Sequence, residues 1–127
     1  MFTPSSMLEL MSKLPKRFTD FVDRYPDIGR AYGDLGRAVS DAGPLDAKTR
    51  QLVKVGIAIA AGLEGGTHSH VRKAVDAGAT PDEIRHAALQ CLTTIGFPAM
   101  MKGLSWIDDV LISPGSESAT PPFDARS

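Results

Sequence analysis

A chain of 127 residues has material for one domain with a modest core, not two. Its 14 Lys and Arg side chains are balanced by 15 Asp and Glu, for a net charge of −1, so there is no electrostatic case for nucleic acid or an anionic membrane surface. A single cysteine excludes a disulfide within the chain, and the longest strongly apolar stretch, residues 53–63, is too short to span a bilayer and contains Lys54.

The apolar periodicity is that of a helical protein, and the fold class expected is all-α. Met7, Leu8, Met11 and Leu14 predict a short first helix. Phe18, Phe21, Val22 and Tyr25 predict a second, with Pro15 suited to its first turn. Ile28, Ala31, Tyr32, Leu35 and Val39 predict a third, ending near Gly43-Pro44. Asp46 is a good N-cap for the next segment, which fits two periods. Val53, Val55, Ile57 and Ile59 alternate as in a strand, while Leu52, Val55, Ile59 and Leu63 keep helical spacing. Length decides for a helix over residues 47–61, since Ala58, Ala60 and Ala61 are poor strand formers. A helix so apolar on most sides predicts a central position and subunit contacts.

Gly65-Gly66 is expected as a turn, followed by a short helix over residues 67–77 with Gly78 as its C′ glycine. Thr80-Pro81-Asp82-Glu83 is a capping box with proline at N1. It opens a helix expected to carry Ile84, Ala88, Cys91 and Ile95 on one face until Gly96-Phe97-Pro98 breaks it. Met100, Leu104, Ile107 and Leu111 predict the last helix. Residues 113–127, rich in Pro, Ser and Gly, are expected to be a flexible tail after a single domain of residues 1–112. Met1-Phe2-Thr3-Pro4 begins no basic-then-apolar signal, and a cytoplasmic protein is expected.

Residues 62–70 read Gly-Leu-Glu-Gly-Gly-Thr-His-Ser-His and hold most of the candidate chemistry. His70 lies toward the apolar side of its helix with Val71 and Ala74. Its imidazole titrates nearest neutrality, which suits a general acid or base; the plainer reading is a core histidine bonded to a carbonyl. His68, two residues earlier, is turned by about 200° on a helix, so the two rings make a poor metal pair, and no metal site is expected. Glu64 stands near a helix start, where a carboxylate is stabilised in any case; it can also orient a histidine tautomer. Gly65 and Gly66 either join two helices or expose N–H groups to a carboxylate or enolate oxygen. Gln51 offers a neutral amide for hydrogen bonding. Cys91 shares a face with Ile84, Ala88 and Ile95 and reads as a small buried hydrophobe.

Four pieces in order carry a resemblance: Leu45-Asp46-Ala47-Lys48-Thr49-Arg50, His70-Val71-Arg72-Lys73-Ala74, Gly78-Ala79-Thr80-Pro81-Asp82-Glu83-Ile84 and Gly96-Phe97-Pro98-Ala99. Over residues 45–111 the chain resembles the carboxymuconolactone decarboxylase superfamily, which includes the alkyl hydroperoxidase D group. The redox members carry Cys-x-x-Cys and a histidine four residues later. The matching positions here are Leu63, Gly66 and His70, and Gln51 stands where those members have a glutamate. Around the site the chain is closer to the gamma-carboxymuconolactone decarboxylase branch, which also lacks the cysteine pair and has residues matching Glu64, His70 and Cys91. That branch's polar and basic residues between the first two are replaced by Gly65, Gly66 and Thr67.

The resemblance implies an alkyl hydroperoxidase D-like helical bundle that is an obligate homo-oligomer, a trimer or hexamer. Three functions follow as expectations. One is a cofactor-free lyase or isomerase on a small carboxylate or lactone, with His70 shuttling the proton, His68 and Glu64 supporting it, and Gly65, Gly66 and Gln51 binding substrate. Another is a non-catalytic oligomer that binds a small molecule or a partner protein. A thiol peroxidase is disfavoured, because both site cysteines and the relay glutamate are replaced.

Overall fold

The computed structural model describes residues 16–112, and these are helical throughout apart from short connections. The helix expected over Met7 to Leu14 and the expected tail lie outside the described residues. The chain divides into two compact units between Asp46 and Ala47.

In the first unit, helix α1 (Lys16–Arg24) is followed by α2 (Pro26–Asp41), with Pro26 opening the first turn of α2. The two helices touch through aromatic rings, Phe18 on Tyr32 with centroids 6.1 Å apart. Gly29 lets them close up: a Cβ there would stand 2.8 Å from Val22 Cγ1. Neither helix contains a fully buried residue. The α2 stripe of Ile28, Tyr32, Leu35 and Val39 is more than half exposed.

The second unit holds α3 (Ala47–Ala60), α4 (Glu64–Asp76), α5 (Pro81–Leu89), the single turn α6 (Leu92–Ile95) and α7 (Phe97–Leu111). The segment that fits both periods is a helix. Its Val55 and Ile59 pack into a core with Val71 and Ala74 of α4, Ile84 and Ala88 of α5, Cys91, and Met100 and Ile107 of α7. Each large side chain sealed there contributes roughly 1.5–3 kcal/mol by leaving water. Helix α7 approaches α3 closely, since a Cβ on Gly103 would lie 2.7 Å from Ile59 Cδ1. Polar ties surround the core. Arg85 Nη2 lies 2.7 Å from the Oδ1 of buried Asp108, and Lys48 Nζ lies 3.0 Å from Glu83 Oε2.

Two boundaries differ from the sequence expectation. Helix α4 begins at Glu64, so Gly65-Gly66 is its first turn and not a loop. The break falls at Gly62, whose φ of +74° is left-handed backbone that favours glycine. Gly62 N–H donates to Ile59 O at 3.0 Å and Leu63 N–H to Ala58 O at 2.8 Å, a Schellman closure that ends α3 and aims the chain into α4. Gly78, at φ +95°, closes α4 in the same way, as expected. The capping box also forms: Thr80 N–H donates to Glu83 Oε1 at 2.9 Å, and Glu83 N–H to Thr80 Oγ1 at 3.1 Å. The helix it opens stops at Leu89, however, ahead of Gly96-Phe97-Pro98. Cys91 N–H bonds back to Ala88 O, tightening the end of α5 so that Cys91 stays in the core while the chain turns into α6.

Candidate functional site

Helix α4 presents polar groups on two sides. Gly66, His70 and Lys73 follow one another at helical spacing along the side toward α3. On α3, Gln51 and Lys54 are one turn apart. His70 Nδ1 lies 2.9 Å from Gln51 Oε1, so the neutral ring donates from Nδ1 and Nε2 is its basic nitrogen. His70 is half-buried. Its pKa is pushed down to about 4, first by burial and then by the ammonium charges of Lys73 and Lys54. The Lys73 pKa is lowered by burial and by Lys54. The site therefore pairs an uncharged imidazole at neutral pH with two cationic neighbours.

Gly65 and Gly66 occupy the second and third positions of α4, where N–H groups precede the first intrahelical acceptors. The Leu63 side chain caps none of them. The first backbone bond of the helix is Thr67 N–H to Leu63 O at 2.9 Å; the buried Thr67 hydroxyl donates to the same oxygen at 2.8 Å. An ideal Cβ on Gly66 would lie 3.2 Å from Leu63 Cβ, so the two positions that hold cysteines in redox members are neighbours here too. The thiol of Cys91 is buried, which raises its pKa.

Glu64 and His68 stand one turn apart on the other side of α4, toward α7. His68 Nε2 lies 3.0 Å from Asp109 Oδ2. One donor atom each of Glu64, His68 and Asp109 falls within 4.8 Å of the others. Of the residues singled out in the sequence, then, His70 meets Gln51, while Glu64 and His68 gather with Asp109 on a different side of the helix.

Sequence reasoning missed Lys54, Lys73 and Asp109. Lys54 interrupts an apolar run one turn from Gln51, and that spacing was the available signal for it. Lys73 repeats the relation one turn after His70. Nothing local links Asp109 to His68, which is 41 residues away.

Among the described residues no helix is long and apolar enough to cross a membrane. No curated protein and no solved structure matches the chain. The sequence model of the carboxymuconolactone decarboxylase family matches residues 26–109, a stretch that includes all of α2 to α6 and both polar sides of α4. With more than half of its length matched, the chain belongs to the carboxymuconolactone decarboxylase family.

Proposed function

We propose that the chain is a lyase or isomerase that moves a proton on a small carboxylate or lactone, with His70 as the acid–base group. The observation that carries this reading is the Gln51–His70 contact at 2.9 Å beside Lys54 and Lys73. Gln51 holds the ring so that Nε2 is the base. The two ammonium groups attract an anionic substrate and favour the enolate that forms when its proton leaves. Burial first, and these two charges after it, disfavour a third positive charge on the empty site, which is why the imidazole starts neutral. A bound carboxylate offsets those two charges and so raises the imidazole pKa from about 4, while the burial that lowers it most remains; substrate itself thus strengthens the base. Gly65 and Gly66 N–H groups, one turn before His70, supply donors for an oxyanion.

The test is solvent deuterium incorporation beside the carboxyl or lactone carbonyl, followed by NMR across a panel of small acids and lactones. A substrate should exchange with the wild-type protein and lose about 10²–10⁴-fold in rate with His70→Gln. Equal exchange by the two proteins would remove His70 from the chemistry.

One observation favours a second reading, a non-catalytic small-molecule binder. A pKa of about 4 lies well below the value best suited to a base working near neutrality. In that reading the same anions raise the melting temperature of the protein without any exchange. Leu63, Gly66 and the buried Cys91 argue against a thiol peroxidase. The exposed Val53 and Ile57 of α3 support assembly into a trimer or hexamer, which light scattering would report.

A further inference from the structure

We propose that Glu64, His68 and Asp109 bind a divalent transition-metal ion of the zinc class, bridging the start of α4 to the end of α7. Two carboxylates and an imidazole converge from two helices, with one donor atom of each within 4.8 Å of the others. Glu64 and His68 are four residues apart, which stacks them on one side of α4. His68 Nε2 and Asp109 Oδ2 are already 3.0 Å apart. Two ligands about 2.0 Å from a tetrahedral ion stand about 3.3 Å apart, so this pair needs only a slight opening to admit one. Glu64 completes the set by rotation of its flexible side chain.

The third residue separates this arrangement from an ordinary histidine–aspartate hydrogen bond. That bond needs no Glu64. Bringing a second carboxylate to the same imidazole sets two negative charges against each other, and a dication turns this repulsion into attraction. The partial positive charge of about +0.5 at the start of α4 opposes a cation, but the two carboxylates carry −2, and the closing turn of α7 adds a favourable negative end. Glu64 and Asp109 are exposed and the His68 side chain is 22% exposed, so an ion enters from solvent and water fills its remaining position. An imidazole with two carboxylates suits zinc better than magnesium, which prefers an all-oxygen shell and keeps its waters. The site lies on the side of α4 away from the Gln51–His70 contact, so it is independent of the acid–base reading.

The test uses the full chain stripped with a chelator and titrated with zinc chloride, read by calorimetry and by thermal melting. The wild-type protein should bind one ion per chain and melt at a higher temperature with zinc than without it. His68→Ala and Asp109→Asn should each weaken binding by about tenfold or more and abolish the melting shift. His70→Gln should bind as the wild type does. Circular dichroism of the metal-free variants separates a lost ligand from a lost fold. Absence of saturable binding by the wild type would overturn the proposal. So would binding that survives both ligand variants in folded protein, or that is lost equally in His70→Gln.

Discussion

The side-chain oxygen of Gln51 lies 2.9 Å from Nδ1 of His70, and this contact decides which ring nitrogen is basic. A carboxylate at the same position would add a full negative charge. Gln51→Glu should therefore raise the His70 pKa from about 4 toward or beyond its ordinary 6.5, because an opposite charge at hydrogen-bond distance favours the imidazolium. NMR titration of the ring protons measures this directly, and a midpoint that stays near 4 would contradict it.

The same lowered value makes stability depend on pH. The unfolded chain protonates His70 at its ordinary 6.5, the folded chain only near 4. Between those values the unfolded state binds more protons, so stability rises with pH through the window. The His70 contribution is full above about 6.5 and is lost as pH falls toward 4. Urea midpoints at about pH 7 and about pH 5 should differ less for His70→Gln than for the wild type.

The Leu63 and Gly66 positions keep the spacing of a redox pair without its sulfurs. A Cβ at Gly66 would stand 3.2 Å from Leu63 Cβ, a few tenths of an ångström inside the range of about 3.5–4.5 Å found across disulfides, so a small opening brings the pair into range. The double variant Leu63→Cys, Gly66→Cys should close an intramolecular disulfide under mild oxidation. Intact mass would show the loss of two hydrogens, restored by a reductant. A dithiol that resists oxidation would mean that the first turn of α4 holds the two side chains apart.

Gly103 permits the close crossing of α7 over α3. Gly103→Ala would place a Cβ 2.7 Å from Ile59 Cδ1 and should destabilise the protein by about 1–3 kcal/mol, as overpacked cores do. Ile59→Ala removes Cδ1, Cγ2 and Cγ1, which would stand 2.7, 2.8 and 3.0 Å from that Cβ, so the double variant should lose less than the sum of the two single losses. The double-mutant cycle in urea reads the coupling, and strict additivity would show that the crossing is not tight.

The helical fold was legible wherever period and punctuation agreed. Thr80 to Glu83 forms its capping box, and Gly78 ends α4. The boundaries that moved did so where one residue had rivals. Gly62, Gly65 and Gly66 all permit a break, and only the hydrogen bonds to Ile59 and Ala58 select Gly62. Cys91 fits the stripe of Ile84 and Ala88, yet it reaches the core from beyond the end of α5. At the candidate site, His70 and Gln51 stood out in the sequence separately, and their pairing needed the α3–α4 turn. The Asp109 contact needed α7 docked against α4, which no local pattern encodes.

The two sides of α4 are closed by chain segments of different length. The Gln51–His70 contact spans 19 residues and the His68–Asp109 contact spans 41. The longer closure costs about 0.7 kcal/mol more chain entropy, and it depends on the final turn of α7, where helices fray. Amide hydrogen exchange should therefore be slower at the α3–α4 hairpin than around Asp109. Brief opening at the chain's last described helix would release His68 while the imidazole of His70 stays held by Gln51.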